Sequence, residues 1–277
     1  MKSKYLIIGS GQLGQELINL LNNDVEYTYH TMDPFNRGAY LDITNFDLLE
    51  DHIIKTMPEV IINTAALTDV DKCETDRNMA LKINGEAVKH IIRAARVLGS
   101  YVIQISTDYV FDGEKGLYKE DDLVNPINYY GLTKLIGESY ALSYDDSLVI
   151  RTSGIFRHKG FIPFVFSRLM NEKEINAYKG YYSPISAKKL SEAIFKLVEK
   201  RKTGIINVAG ERISRYDLAI EIAKHLNKRP IIKEVDNVSN WIAKRPYDSS
   251  LDISKAKAIL DFDFYSLKEN LKYVVIK

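Results

Sequence analysis

The sequence has little of what several classes of protein require. Its lone cysteine, Cys73, excludes a disulfide framework or a cysteine metal cluster within the chain. The net charge of +1 gives no bulk attraction to nucleic acid or to an anionic membrane. The histidines show no metal-ligand spacing such as H-x-x-x-H, and no apolar run approaches the length of a membrane span. We therefore expect a cytoplasmic protein with no metal, no nucleic-acid partner and no membrane partner.

What is present is a regular alternation of short apolar runs and helical patterns. Strand-like runs lie at 5–8, 60–63, 101–105 and 148–151, and helical patterns lie at 12–22, 79–98 and about 129–144. Continuous apolar runs alternating with helices are typical of parallel strands joined by helical crossovers. The pattern predicts an α/β fold of the Rossmann type, a doubly wound parallel sheet of about seven strands.

A glycine loop follows the first apolar run and opens the first helical pattern. Gly9, Gly11 and Gly14 match G-x-G-x-x-G, with Gln12 and Leu13 inside the motif. In such a loop the first glycine permits a tight turn, the second lets the backbone approach a pyrophosphate, and the third lets the helix pack closely on the strand. The helix N-terminus then faces the phosphate charge. We expect these residues to bind NAD(P); an ordinary glycine turn is the alternative.

The ribose end of this predicted site leaves alternatives open. Asp33 lies at the usual distance past the loop and could bind the ribose 2′-hydroxyl, which favours NAD. Arg37 could instead hold a 2′-phosphate, which favours NADP, and Asp33 could merely start a turn. Asp42 and Ile43 could lie under the adenine or cap the next helix. We expect NADPH, with NADH also accepted.

Tyr130 and Lys134 form a Y-x-x-x-K pair whose members share one face of a helix. A free tyrosine has a pKa of about 10, and a nearby ammonium brings it toward the working range of an acid–base catalyst. Lys134 could also reach the cofactor ribose. Thr107 lies at the carboxyl end of a predicted strand, where ligands bind. The set predicts an NAD(P)-dependent oxidoreductase, against alternatives of a surface helix pair and a turn.

The helical and strand pattern loosens after residue 155, which indicates a second, smaller lobe. Residues 1–155 form the predicted NAD(P)-binding domain, and 186–210 are expected to return to it. The segments 156–185 and 211–277 form the predicted C-terminal substrate-binding lobe, which we expect to cover the crevice at the carboxyl ends of the strands.

Several stretches, which together span nearly the whole chain, carry a resemblance to one family. They are NTAALTDVD at 63–71, STDYVFDG at 106–113, NPINYYGLTKLIGE at 125–138, RTS at 151–153 and RP at 245–246. As a set they resemble the dTDP-4-dehydrorhamnose reductases, which are extended short-chain dehydrogenases. The resemblance implies NAD(P)H-dependent reduction of the C4 ketone of a nucleotide-linked sugar, dTDP-4-dehydro-β-L-rhamnose.

The resemblance also implies roles for individual residues. Tyr130 would donate the proton, Lys134 would tune it and bind ribose, and Thr107 would hold the substrate oxygen. The implied cofactor contacts on the next strand are Asn63, Ala65 and Ala66. The implied substrate contacts are Thr68, Thr107, Tyr109, Gly154 and Arg245. Of these, Arg245 would meet the nucleotide diphosphate, the alternative being a solvated arginine before a proline.

Two departures from the family pattern fall in the region expected to bind substrate. Gly154 stands where rhamnose-forming members carry a tryptophan, and residues 179–185 depart from the family's DQxGSPT stretch. These departures bear on the identity of the sugar rather than on the cofactor. The pattern is also similar to that of the regulatory β subunit of methionine adenosyltransferase, so a non-catalytic NADP-binding subunit is the alternative function. A homodimer is a possible assembly of this chain.

Overall fold

The computed structural model describes residues 4–229, 231–236 and 241–275. The first strands are β1 (Tyr5–Ile8), β2 (Val25–Tyr29), β3 (Ala39–Tyr40), β4 (Val60–Asn63), β5 (Tyr101–Thr107) and β6 (Ser147–Thr152). The helices among them are α1 (Gln12–Leu21), α2 (Phe46–Thr56), α3 (Val70–Thr75), α4 (Arg77–Leu81), α5 (Ala87–Leu98) and α6 (Tyr129–Leu142). The later elements are α7 (Phe161–Met170), β7 (Ile175–Tyr178), β8 (Tyr181–Tyr182), α8 (Ala187–Glu199), β9 (Gly204–Asn207), β10 (Ile213–Ser214), α9 (Arg215–His225), β11 (Ile232–Val235), α10 (Ser254–Ile259) and α11 (Leu267–Leu271).

The main sheet has seven strands in the order β3-β2-β1-β4-β5-β6-β9, and every pairing in it is parallel. The order reverses between β1 and β4, as in a doubly wound fold, so the carboxyl ends of these strands border a crevice. The predicted Rossmann-type sheet of about seven strands is confirmed.

Both faces of the sheet are covered, which explains why its strands are apolar runs without polar alternation. Ile7, Ile62 and Ile103 belong to the core on one face, while Leu6 and Ile61 belong to the core on the other. Helices α1 and α8 pack together on the first face, and α2 and α5 pack together on the second. Each face therefore buries a continuous apolar layer that fixes the positions of the strand ends.

The helix α6, which carries the tyrosine–lysine pair, is anchored at its start and along one side. The Asn128 side chain caps it by accepting from the Gly131 backbone N–H at 2.8 Å. A π-helical turn at Lys82–Glu86 joins α4 to α5 and lies against α6. From this turn the buried Asn84 amide donates to the Thr133 hydroxyl on α6 at 3.2 Å. These contacts orient the helix toward the end of β5.

A smaller group of elements has its own apolar cluster. Side chains of α7, α9, β7 and β8 pack there, together with Phe156 and Leu271. Residues 251–264 behave differently, because Leu251, Leu260 and Phe264 pack into the core of the main sheet. The predicted lobe segment 211–277 therefore includes residues that belong to the larger core, and its last two residues lie outside the described part of the chain.

Residues 186–210 contribute α8 and β9 to the main sheet and its cover. None of the helices in the described residues is long and apolar enough to cross a membrane. The same residues contain no group of three or more histidine, cysteine, aspartate or glutamate side chains placed to hold a metal ion.

Candidate active site

A cleft of about 490 Å³ opens where the carboxyl ends of the strands meet the smaller group of elements. The predicted site residues that line it are Gly11, Gln12, Leu13, Gly14, Ala66, Thr68, Thr107, Tyr109, Tyr130, Lys134 and Gly154. The predicted residues outside its lining are Gly9, Asp33, Asp42, Ile43, Asn63, Ala65 and Arg245. The cleft thus joins the glycine loop to the tyrosine–lysine pair in one continuous space.

The glycine loop has the close approaches that its spacing predicts. Gly9 has a φ of +98°, and a Cβ there would lie 2.8 Å from the backbone nitrogen of Ala65. A Cβ on Gly14 would lie 2.1 Å from the Gly9 carbonyl oxygen, whereas a Cβ on Gly11 would meet open space in the cleft. Gly9 and Gly14 therefore serve the turn and the packing, and Gly11 leaves backbone open to a ligand.

The Gln12 side chain fastens a crossing segment over this loop. Its Oε1 accepts from the backbone N–H groups of Arg157, His158 and Lys159 at 3.0, 2.9 and 2.8 Å. The Arg157 guanidinium pairs with Glu16 at 2.6 Å. This segment places Lys159 in the cleft beside the glycine loop. Gln12 therefore holds residues 157–159 against the glycine loop, and its contact with the cofactor stays a prediction.

The side chains predicted for the ribose end make contacts within the protein. Asp33 accepts from the Tyr27 hydroxyl at 2.5 Å and from the Gly38 backbone N–H at 2.8 Å. The Arg37 guanidinium donates to backbone carbonyls, including that of Val25 at 3.1 Å, and lies over the Tyr27 ring. Both side chains thus organise the loop after β2, and their roles at the ribose stay predictions.

Of the other predicted cofactor residues outside the cleft lining, Asp42 and Asn63 make hydrogen bonds within the protein. Asp42 accepts from the backbone and hydroxyl of Thr44, and the helix α2 is capped by Asn45 instead. Asn63 is buried at the end of β4, where its amide donates to Gln104 at 2.8 Å and its oxygen accepts from the Ala65 N–H at 3.2 Å. The Asn63 contacts fix the backbone at Ala65, against which Gly9 of the glycine loop packs.

Thr107, Tyr130 and Lys134 come together on one wall of the cleft. Lys134 is 3% exposed and donates to the Ile105 carbonyl oxygen on β5 at 2.6 Å. The Thr107 hydroxyl interacts with the Tyr130 hydroxyl. The Tyr130 ring also packs edge to face on Tyr109, with 5.9 Å between ring centroids. The predicted catalytic residues therefore share one wall of the cleft.

Burial sets the protonation of this pair. It raises the pKa of Tyr130, an effect that contact with the Thr107 hydroxyl opposes. It lowers the pKa of Lys134 from 10.5 to about 8, against the attraction of Glu138. Near neutral pH the tyrosine is therefore a protonated phenol beside a cationic lysine. That is the protonation state in which the tyrosine can act as a general acid.

Asp108 belongs to the motif at 106–113 but is not one of the predicted site residues, and it links this wall to residues from two other parts of the chain. It is 3% exposed and accepts from the hydroxyls of Thr107 at 3.0 Å, Ser153 at 2.7 Å and Ser249 at 2.5 Å. Burial raises the pKa of Asp108, and the serine hydroxyls act in the opposite sense. Because a hydroxyl has one proton, the Thr107 hydroxyl can donate to Asp108 or to the Tyr130 oxygen, but not to both at once.

The space beside Gly154 is occupied from the other side of the cleft. Gly154 has a φ of +50°, and a Cβ there would lie 2.7 Å from the Tyr182 ring. The ring that stands next to this position is thus supplied by β8 rather than by residue 154 itself. A Tyr182 in that place requires a residue without a side chain at 154, a dependence that no local pattern in the sequence reveals.

The predicted diphosphate contact, Arg245, lies outside the cleft lining, and its role at a diphosphate stays a prediction. Its guanidinium forms a paired contact with the Asp71 carboxylate at 3.0 and 3.1 Å, and the side chain is 10% exposed. The cations that line the cleft are Lys134, Lys159 and Arg215. Arg215 belongs to none of the motifs in the sequence, and no local pattern distinguishes it from other arginines.

Cys73 is a free, buried cysteine, and its thiol has low reactivity. Burial, with the negative charges of Asp69 and Glu74, raises the pKa of its thiol to about 12. It therefore stays protonated at neutral pH and is a poor nucleophile.

A protonated tyrosine beside a buried lysine, at the end of a nucleotide-binding crevice, is the arrangement of an NAD(P)-dependent oxidoreductase. That is the class of protein that the fold and the site define. A family model described as the RmlD substrate binding domain matches residues 3–277. The chain belongs to this family, that of the dTDP-4-dehydrorhamnose reductases, as its motifs predict.

Relatives agree along most of the chain. A dTDP-4-dehydrorhamnose reductase of Aggregatibacter actinomycetemcomitans is 33% identical, over 91% of this chain and 92% of its own length. The solved structure of a hypothetical dTDP-4-dehydrorhamnose reductase from Sulfolobus tokodaii is 58% identical, with a TM-score of 0.95 and coverage of 98% of this chain and 100% of that one. A Bacillus anthracis dTDP-4-dehydrorhamnose reductase solved in complex with NADP is 28% identical, with a TM-score of 0.86 and 98% coverage of both chains.

Proposed function

We propose that this protein uses NADPH to reduce the C4 ketone of a nucleotide-linked sugar, and that the sugar nucleotide is dTDP-4-dehydro-β-L-rhamnose. The observation that carries the proposal is the placing of the Tyr130 phenol, with Thr107 and Lys134, in the same cleft as the glycine loop. The names of its relatives, dTDP-4-dehydrorhamnose reductases, support this substrate.

The residues at the glycine loop fit a dinucleotide. Gly11 presents backbone with open space around it, and the N-terminus of α1 follows immediately. Lys159 adds a cation on the same side of the cleft. These groups would hold a pyrophosphate, with Lys134 in reach of the adjoining ribose. The coenzyme bound there supplies the hydride, and the NADP found in the Bacillus anthracis relative supports NADPH.

The residues of the chain supply the proton and hold the ketone. Tyr130 donates its phenolic proton to the C4 oxygen as that oxygen gains negative charge, which leaves a phenolate. The positive charge of Lys134 stabilises that phenolate. The Thr107 hydroxyl contacts the phenol, and in this structure it donates its proton to Asp108. For Thr107 to donate to the substrate oxygen, its hydroxyl must turn away from this carboxylate.

The test is the oxidation of NADPH, followed by absorbance, with dTDP-4-dehydro-β-L-rhamnose as substrate. We expect turnover by the natural chain. Tyr130→Phe should lower kcat by about 10²- to 10⁴-fold, the usual loss for a positioned acid, while the affinity for NADPH is kept. Tyr129→Phe is the matched control, because the neighbouring tyrosine lies outside the cleft lining.

Two outcomes would count against the proposal. A protein that binds NADPH tightly but reduces no nucleotide-linked keto sugar is not a reductase of this class. A Tyr130→Phe variant with full turnover would show that the proton comes from elsewhere. Titration with NADPH and NADH, followed by fluorescence, measures the coenzyme preference, for which we expect tighter binding of NADPH.

A further inference from the structure

The cleft contains polar groups beyond those that the reaction uses. Tyr182 is 4% exposed and lines the cleft, and within the described part of the chain its buried hydroxyl has no hydrogen-bond partner. Thr152, at the end of β6, also lines the cleft, and its buried hydroxyl likewise has no hydrogen-bond partner among the described residues. A buried hydroxyl without a partner is costly, so such groups in a cleft indicate a ligand that satisfies them.

A cation stands directly on this part of the cleft. The Arg215 guanidinium lies 4.2 Å from the centroid of the Tyr182 ring and 5.8 Å from that of Tyr178. It also contacts the Tyr109 hydroxyl. Stacking and this contact fix the direction of the guanidinium, and its charge also acts electrostatically on the buried Asp108. Across the described residues, no carboxylate lies within ion-pair distance of it, whereas Arg212 and Arg245 are paired with Asp248 and Asp71.

The backbone holds Arg215 in this place. It is the first residue of α9, directly after β10, and β10 pairs with β8, which carries Tyr182. The Ser214 hydroxyl caps the helix by accepting from the Asp217 N–H at 2.9 Å. Gly154 completes the arrangement, because a side chain there would displace the Tyr182 ring on which Arg215 rests.

The distance from the reacting group limits what this cation can meet. Arg215 contacts Tyr109, and the Tyr109 ring contacts Tyr130. One aromatic ring, which is similar in size to a six-membered sugar ring, therefore separates the guanidinium from the catalytic phenol. A sugar whose C4 lies at Tyr130 would bring another part of the same molecule to Arg215.

We propose that Arg215, with the Tyr182 hydroxyl, binds an oxyanion of the sugar nucleotide, a role that the sequence had given to Arg245. This role rests on the proposed function, and it makes Arg215 the residue that binds a negative charge of the sugar nucleotide. A guanidinium presents several N–H donors in a plane and suits phosphate or carboxylate oxygens. In the proposed substrate the oxyanion is the diphosphate, because dehydrorhamnose has no carboxylate. A carboxylate on a different sugar has the same chemistry, and the test distinguishes the two.

The test measures binding to the full chain loaded with NADP⁺, by calorimetry, with dTDP, dTDP-glucose and dTDP-glucuronic acid as probes. Arg215→Gln keeps a planar group over Tyr182 and removes the charge. We expect it to weaken binding about 10- to 100-fold, as for the loss of a charge-assisted hydrogen bond. Equal losses for all the probes assign Arg215 to the diphosphate. A loss confined to dTDP-glucuronic acid assigns it to the sugar carboxylate.

Control variants separate this effect from damage to the fold. Arg212→Gln removes another arginine, which lies over Tyr181 on the same strand as Tyr182, and it should leave the affinities unchanged. Tyr182→Phe keeps the ring and removes only the unpaired hydroxyl, so it should cause a smaller loss. Arg215→Lys keeps the charge and should recover most of the affinity lost in Arg215→Gln.

Several results would overturn the proposal. Natural protein that binds dTDP while Arg215→Gln binds every probe equally well excludes Arg215 alone and leaves the proposed function standing. A loss in Arg245→Gln without one in Arg215→Gln returns the role to Arg245. An Arg215→Lys variant as weak as Arg215→Gln shows that the change acted through the fold. A natural protein that binds none of the probes overturns the proposed function as well.

Discussion

A buried ion pair fastens α6, the helix that carries the predicted catalytic pair, to the sheet, and its loss should be strongly destabilising. Glu138 on α6 is 1% exposed and Arg151 on β6 is 3% exposed. The Arg151 Nε donates to Glu138 Oε1 at 3.0 Å, and the Arg151 Nη2 donates to Glu138 Oε2 at 2.8 Å. The Ser106 hydroxyl donates to the same carboxylate at 2.5 Å, and Arg151 also donates to the Glu120 carbonyl at 3.1 Å.

The size of the effect follows from what each substitution leaves behind. Glu138→Met leaves a buried guanidinium without its counter-ion, which should cost about 3–5 kcal/mol of unfolding free energy. Arg151→Met leaves a buried carboxylate and should cost a similar amount. The double variant leaves neither charge unpaired, so its cost should lie well below the sum of the two single costs. The surface pair of Lys196 and Asp261 is the matched control.

Urea unfolding followed by circular dichroism measures these free energies. Lys196→Met should change stability by less than about 1 kcal/mol, because that pair is exposed to solvent. A Glu138→Met variant that loses less than about 1 kcal/mol would refute the argument. So would a double variant whose loss equals the sum of the single losses, since the two side chains would then be energetically independent.

Three further predictions concern the cleft. Because burial lowers the pKa of Lys134 to about 8, kcat/KM for reduction should fall as the pH rises through about 8, while Lys134→Arg should show no such fall; a natural enzyme with a flat pH profile there contradicts this. Gly154→Ala should raise KM for the sugar nucleotide and leave NADPH affinity unchanged, because its Cβ meets Tyr182; Gly99→Ala, which has a positive φ but no atom within 4 Å of its Cβ, is the control. Gln12→Ala removes the acceptor that holds the backbone of 157–159 and should weaken NADPH binding about tenfold by fluorescence titration; unchanged affinity would limit Gln12 to a structural role.

The sequence by itself determined the sheet, the glycine loop and the placing of Tyr130 and Lys134 on one helix. Strands such as Tyr5–Ile8 and Val60–Asn63 lie where their apolar runs predict, because burial on both faces of a parallel sheet leaves a continuous signal along the chain. The roles of Gly9 and Gly14 follow from backbone sterics at fixed spacing. The pairing of Tyr130 with Lys134 needs only the pitch of one helix, and these features are local.

Only the tertiary structure decided which side chains line the cleft. Arg245 and Arg215 are both arginines near turns, and they differ because Asp71, far away in the chain, pairs with one and no carboxylate in the described residues pairs with the other. Gly154 gains its meaning from Tyr182, a residue on another strand. Charge pairing and packing depend on distances in space, and a linear pattern carries no record of which distant residues the fold brings together.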